Sequence, residues 1–350
     1  MLRIAVTADP YIAVPPKLYG GIERIIDMLV RGLTERGHEI TLFAHPESDT
    51  PCRLEAYPVR TNGSNGGLLG NLWRVSSRLL KEDYDIVHSF GRLAYLLPVL
   101  PAAIPKLMSY QRSITRRSVE WGERLARGTL HFSGCSQHLI DVFRGKANWH
   151  VVYNGVPLLT YTFQKTVAGD APLVFLGRVE EIKGSHLAIE VAQRSGRKLI
   201  IAGNVPDEEK HRAFFESHIA PRVDGEQVKY IGPVNDSQKN ELLGGAAALL
   251  MPILWDEPFG IVMAEALACG TPVIALNRGS APEIVENQVN GFVCESLDEM
   301  ARAVARIAEI DRQTCRAVME KRFSDAAITT AYEDLYFEII GRRLHARSAQ

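Results

Sequence analysis

Cysteine is scarce in this 350-residue chain. The five present (Cys52, Cys135, Cys269, Cys294 and Cys315) are odd in number, scattered and free of CxxC spacing. That pattern argues against a disulfide framework and a thiolate zinc site, and for a reducing, cytoplasmic setting. An excess of either charge is lacking too: 40 Lys and Arg face 41 Asp and Glu, a net charge of −1. With no polybasic run, nothing suggests a nucleic-acid partner. No apolar run reaches the ~18 residues of a membrane span. The chain opens directly into Leu2-Arg3-Ile4-Ala5-Val6, a strand, so no signal peptide is expected. Peripheral contact with a membrane stays open, and so does the oligomeric state. Missing, finally, is the dinucleotide fingerprint. A GxGxxG should follow the first strand at once, and an acid should end the second. Here the glycines arrive late, as the bare pair Gly20-Gly21, and the second strand ends Phe43-Ala44-His45. A nicotinamide-dependent oxidoreductase is therefore disfavoured.

What is present is apolar periodicity of the α/β kind. Leu2 to Thr7 reads as a strand, and Ile22, Ile25, Ile26, Leu29, Val30 and Leu33 place one apolar stripe on a helix that Gly37 stops. Glu39 to Ala44 is the next strand, completing a βαβ unit of a parallel, doubly wound sheet. Further strands are expected at Asp85–Phe90, Lys106–Tyr110, Leu130–Cys135 and Val151–Pro157, and Asn62–Asn71 reads as a Gly- and Asn-rich loop. The basic segment Arg112–Arg117 with Arg124 and Arg127 reads as a solvated helix face or an anion-binding edge. A more polar stretch, Leu159 to Asp170, marks a domain boundary, after which the alternation starts afresh at Leu173. Ser185 is expected to cap a helix through Ser195. Glu208–Ala220 should be helical, Ser296 and Glu299 form a capping box for a helix through Ile310, and a long last helix starts near Ser324.

The chemistry gathers around residues 255–272. Ala247–Ile253 is a strand buried on both faces, Pro258 and Gly260 break it off, and Ile261–Cys269 is a short helix ended by Gly270 and Pro272. Glu257 lies beside the free amides at that helix start, and Glu265 stands inside an apolar helix, where an acid is costly unless satisfied. Arg178 and Lys183 occupy a second strand-to-helix loop, closed by Gly184; a guanidinium fork and an ammonium there suit a diphosphate. His88 ends a strand at the edge where open α/β sheets bind ligands. Asp83-Tyr84-Asp85 has a metal-binding spacing but precedes its strand, and reads as a solvated strand entry.

These stretches resemble the retaining glycosyltransferases of family 4. The resemblance rests on Gly20-Gly21 with Glu23, Asp85-Ile86-Val87-His88, Val152 to Val156, Gly177-Arg178 with Lys183-Gly184, Ala202-Gly203 and Tyr230-Ile231-Gly232. It rests most on Glu257-Pro258-Phe259-Gly260, then Glu265-Ala266, Gly270 to Ile274, Pro282 to Val285 and Asn290-Gly291. It implies a GT-B fold: two Rossmann-like doubly wound domains facing a cleft. Residues 1–158 with 325–350 would be the acceptor-side domain, and 159–324 would bind the donor. It further implies that Arg178 and Lys183 grip the donor diphosphate, that Glu257 meets the sugar hydroxyls, and that Glu265 holds the ribose. Amides of Phe259, Gly260, Ile261 and Val262 would lie near sugar and phosphate. Asn204, Tyr230 and Ile231 complete the donor set, Gly20 and Gly21 form a phosphate or acceptor loop, and His88 lies near the sugar. The expected activity is hexosyl transfer from a UDP- or GDP-sugar to an alcohol acceptor (saccharide, lipid-linked glycan or small molecule). It would follow a front-face mechanism without metal or other cofactor. A same-fold epimerase or phosphorylase and a non-catalytic sugar-nucleotide binder stay open as alternatives. Where many family members carry a His after the strand near Ser109, this chain reads Tyr110-Gln111-Arg112, so acceptor recognition transfers least; Tyr110, Arg112 and Arg116 are candidates for it.

Overall fold

The structure, a computed structural model, describes residues 1–16, 20–57, 65–112, 114–143, 145 and 148–348. The chain divides into two compact units, Met1–Asn154 with Asp325–Gln350, and Gly155–Ser324.

In the first unit seven parallel strands follow the order β3-β2-β1-β4-β5-β6-β7. They are β1 (Arg3–Thr7), β2 (Glu39–Ala44), β3 (Arg53–Ala56), β4 (Ile86–Ser89), β5 (Lys106–Tyr110), β6 (Leu130–Gly134) and β7 (Trp149–Val151). The central strands β1, β2 and β4 are buried on both faces, which is why they read as apolar runs rather than alternations. The helices are α1 (Gly21–Glu35), α2 (Asn65–Lys81), α3 (Arg116–Ala126) and α4 (Gln137–Asp141). Of the expected stripe of α1, Ile25, Ile26, Leu29, Val30 and Leu33 are buried, joined by Glu23 and Met28, while Ile22 is half-buried.

Two expectations change here. The loop over Asn62–Asn71 is a helix from Asn65 onward; residues 61–64, like Tyr19 beside the glycine pair, lie outside the described residues. Asn and Gly are poor helix formers, but Val75 and Leu79, one turn apart on α2, sink into the core and override that preference. The strand expected at Val151–Pro157 is instead β7, which ends at Val151.

The second unit holds six parallel strands in the order β10-β9-β8-β11-β12-β13. They are β8 (Leu173–Leu176), β9 (Leu199–Ala202), β10 (Val228–Tyr230), β11 (Ala248–Met251), β12 (Val273–Leu276) and β13 (Gly291–Cys294). Between and after them run α5 (Ser185–Ser195), α6 (Glu209–Phe214), α7 (Asp236–Gly244), α8 (Ile261–Ala268), α9 (Ala281–Ile284), α10 (Leu297–Ala305) and α11 (Arg312–Phe323). Ser185 opens α5 rather than capping it; the cap is Gly184, left-handed at φ 77°. The helix expected over 208–220 stops at Phe214, passes through a π turn and tightens at Pro221. Only half the capping box forms at α10: Ser296 Oγ accepts from the Glu299 amide, but Glu299 Oε2 takes the Glu295 amide instead. The C-terminal helix α12 (Asp325–Ser348) returns to the first unit and packs along α1. Among the described residues no helix is long and apolar enough to cross a membrane.

Candidate active site

Each sheet has one place where the chain reverses its direction of winding: between β1 and β4 in the first unit, and between β8 and β11 in the second. Side chains just past the carboxyl ends of those strands surround the crevice where open α/β sheets bind ligands.

In the second unit this crevice is built by the loop after β8 and the loop after β11. Lys183 Nζ lies 2.5 Å from Glu257 Oε2, and Trp255 Nε1 donates to the same oxygen at 3.0 Å. The ammonium also sits 4.8 Å from the centre of the Trp255 ring. Both partners are largely buried, at 17% and 14% side-chain exposure, so their attraction is little screened and their desolvation is substantial. Backbone contacts fix the meeting. The Leu254 amide donates to Ile182 O at 2.9 Å, and the Ser280 amide to Glu257 O at 3.0 Å. A Cβ on Gly184 would stand 2.0 Å from Pro252 O, and one on Gly279 would stand 2.4 Å from the Glu257 amide. Gly260, at φ 70°, then turns the chain into α8.

Arg178 and Lys183, expected as a paired grip, are not brought onto one partner. The half-exposed Arg178 guanidinium lies 2.9 Å from Glu180 Oε1, and buried Glu180 also has His211 Nε2 at 3.7 Å. Glu265 finds the satisfaction its apolar surroundings demand: its Oε1 accepts from Tyr161 Oη at 2.7 Å and from Lys239 Nζ at 2.6 Å. Burial and the neighbouring Glu265 push the Tyr161 phenol far above its ordinary range, so it stays a donor. Neither Tyr161 nor Lys239 was among the sequence candidates, and Trp255 stood in the motif without a role. A lysine in a polar helix and a tyrosine in a linker carry no local signal; they become visible only once the sheet brings them to Glu265.

The outer end of the crevice is a stapled turn. Gly177, Gly203 and Gly232 follow β8, β9 and β10. The Gly203 amide donates to Gly232 O at 2.8 Å, and Tyr230 Oη to Gly203 O at 2.9 Å. Gly203, at φ 143°, leaves no room for a Cβ, which would lie 1.8 Å from Gly177 O. Asn204 is exposed, with its carbonyl held by the Val179 amide, and the Ile231 side chain is 48% exposed. Phe259 is buried edge-on to Phe323, so its ring is turned into the core, whereas Ile261 and Val262 are half-buried at the start of α8.

In the first unit the candidate His88 is corrected. It is fully buried, with Nδ1 2.6 Å from Tyr336 Oη and Nε2 2.6 Å from Ser109 Oγ, and with Phe90 and Tyr332 against its ring. Burial holds its pKa down at about 3, so it is neutral, and no face of it is open to a substrate. It is a structural tie between β4, β5 and α12. Gly20 precedes α1 in a tight turn: a Cβ would stand 2.7 Å from Pro16 Cβ and 2.8 Å from Glu23 Oε2, while Gly21 has open space. Asp85 Oδ2 accepts from the Arg3 amide at 2.7 Å, a strand-entry role.

Sequence reasoning missed Asp9, two residues past β1. Its Oδ1, together with Oη of Tyr110, which ends β5, and Oε1 of Gln111 just past it, is buried without a hydrogen-bond partner among the described residues. Burial raises the Asp9 pKa against the opposing pull of the Arg92 and Arg112 charges, and burial likewise raises that of Glu23. Buried unpaired polar atoms are rare and ask for a partner. These three lie at the crevice edge of the first sheet, whereas Arg116 begins the exposed face of α3.

Comparison with known proteins adds an independent line. Residues 19–158 match the family described as Glycosyltransferase Family 4, and residues 162–327 match Glycosyl transferases group 1. The chain is similar to a phosphatidyl-myo-inositol mannosyltransferase of Propionibacterium freudenreichii, at 24% identity over 87% of this chain and 84% of that protein. It is also similar to a glycogen synthase of Mycobacterium tuberculosis, at 28% identity over 96% of this chain and 94% of that one. Among solved structures, HepE of Anabaena in complex with UDP and glucose superposes with a TM-score of 0.73. Its identity is 19%, over 96% of this chain and 99% of that one, a likeness of fold.

Proposed function

We propose that this chain, which belongs to the family 4 glycosyltransferases and has their GT-B fold, moves a hexose-type sugar from a nucleoside-diphosphate sugar to an alcohol. In this reading the anomeric configuration is retained and no metal takes part. The observation that carries the reading is the Lys183–Glu257 pair at the β8/β11 switch point. A donor exchanges the partners of that pair. Its diphosphate takes the ammonium of Lys183, and its sugar hydroxyls take the carboxylate of Glu257, so neither buried charge is left alone. Arg178, half exposed beside Glu180, turns to the same phosphates. Glu265, fixed by Tyr161 and Lys239, accepts from the ribose hydroxyls. Ile231 and Tyr230 lie along the nucleobase, with Asn204 at its rim. The amides of Phe259 through Val262 approach the sugar and phosphate.

In the chemical step the C1–oxygen bond of the donor sugar breaks and its electron pair goes to the departing phosphate oxygen. The acceptor hydroxyl bonds to C1 on the same face and gives its proton to that oxygen. Negative charge grows on the diphosphate, and prepositioned cations stabilise it with little reorganisation. The acceptor is an alcohol held in the first unit near Asp9, Tyr110 and Gln111, whose unpaired atoms suit hydroxyl groups. The UDP bound in HepE supports a uridine donor, and the names of the two relatives support a hexose.

Thermal shift with a panel of UDP- and GDP-sugars identifies the donor, and nucleotide release with and without candidate alcohols tests transfer. Lys183→Ala and Glu257→Ala should each lower transfer about 100-fold or more while far-UV circular dichroism stays unchanged. Turnover near that of the parent in either variant would overturn the assignment. Chelation by EDTA should leave the rate unchanged, and strong loss would restore a metal.

A further inference from the structure

In the first sheet the connections β3→β4 and β5→β6 run one way across the sheet and β1→β2 runs the other. Because such crossovers are right-handed, α2 and α3 lie together on one face and α1 on the opposite one. Between α2 and α3 sits the 3₁₀ turn Leu93–Leu96, and all three share one core through Val75, Leu79, Leu96 and Val119. The outer surface of this layer is unusual. It exposes Trp73 (74%), Leu80 (54%), Leu97 (47%), Trp121 (53%) and Leu125 (39%). Trp73 and Leu80 are seven residues apart on α2, and Trp121 and Leu125 four apart on α3, so each pair shares a helix face. Among these side chains stand Arg74, Arg78 and Lys81 on α2, and Arg116, Arg117 and Arg124 on α3, all exposed. No acid lies within α2; Glu120 and Glu123 of α3 and Glu82, which Arg53 and Arg78 engage, are the acids nearby. In a chain whose charges otherwise cancel, this layer is a local concentration of positive charge with two of its four tryptophans.

We infer that the α2–α3 face docks on an anionic lipid bilayer. Indole rings with an apolar body and a polar edge settle at the headgroup boundary, and arginines beside them meet anionic headgroups. The guanidinium of Arg124, 6.0 Å from the centre of the Trp121 ring, keeps charge and indole at one depth. Single apolar side chains spaced among six cations fit a fluid surface better than a protein partner, whose contact core excludes charge. The inference is independent of the donor-site reading, which concerns the other unit.

The test is co-sedimentation of the full chain with vesicles of phosphatidylcholine alone and vesicles containing phosphatidylglycerol, read together with tryptophan emission. Binding to the anionic vesicles only, a blue shift, and release by salt are expected. The double variants Trp73→Ala/Trp121→Ala and Arg74→Glu/Arg117→Glu should each lower partitioning about tenfold or more with unchanged melting curves, since all four positions are exposed. No binding to either vesicle, or binding that both variants retain, would overturn the inference. So would a concentration-dependent dimer abolished by the tryptophan variant, which would assign the face to a second copy.

Discussion

A carboxylate inside an apolar helix needs either a partner or a ligand, and Glu265 has the first in a form that prepares it for the second. Tyr161 and Lys239 both donate to Oε1, which fixes the carboxylate plane from two directions. Glu257 is held in the same manner by Lys183 and Trp255. Both acids were legible in the sequence because their surroundings made them anomalous, and Lys183 was legible with them; the Glu265 partners Tyr161 and Lys239 were not, since they come from distant segments and carry no local signal. Asp9 was hidden for a related reason. Nothing marks it until β1 and β4 become neighbours. The glycines deserve a quantitative test. Gly203→Ala, forced into φ 143° and against Gly177 O, should destabilise the second unit by about 2 kcal/mol or more. A calorimetric melt reads this directly, and an unchanged transition would mean that the turn opens easily.

At the scale of elements, α12 is tied to the first sheet through a buried polar chain. Tyr336 Oη meets His88, His88 meets Ser109, and Ser109 meets Ser133 at 2.5 Å and Tyr332 at 3.2 Å. The His88 pKa is depressed from 6.5 to about 3, so the unfolded chain takes up a proton that the folded chain refuses. The contribution of His88 is therefore full above pH 6.5 and is lost as pH falls toward 3, at about 1.4 kcal/mol per pH unit. His88→Gln keeps a donor and an acceptor without titrating. Its melting temperature should fall less steeply with acid than that of the parent, and its transfer rate at neutral pH should stay within about tenfold. A rate lost entirely in a folded variant would return His88 to the chemistry. A second buried network holds α11: Arg312 donates to Gln164 O, Ala246 O, Gly244 O and Thr271 Oγ1. Arg312→Met leaves those acceptors unpaired and should cost about 3 kcal/mol or more, seen as a lowered denaturant midpoint. Helices with strong periodicity, such as α1, could be read from the sequence. α2 could not, because its Asn- and Gly-rich start contradicts a helix that only tertiary burial of Val75 and Leu79 sustains.

For the whole molecule, the alternation of strands and helices and the polar break near residues 159–170 announced two successive α/β halves. Strand order did not follow from the sequence, because the central parallel strands here are apolar runs that fit beside any other. Nor did the exposed tryptophans of α2 and α3 stand out, since indoles in a helix read as core until their direction is known.

The last feature is the return of the chain. Gly155–Ser324 is a complete unit whose two ends meet: the Val156 amide donates to Phe323 O at 2.9 Å, and Val156 bridges Ser324. The first unit, in contrast, lacks Tyr332 and Tyr336 over His88 until α12 exists. Along the chain the order of completion is therefore inverted. The later-encoded unit has every residue it needs by Ser324, while the earlier-encoded one waits with an uncovered sheet for the last helix. A released chain truncated after Ser324 should show a protease-resistant second unit and a susceptible first one, whereas the full chain should protect both; equal protection of both units in the truncated chain would show that the first does not need α12.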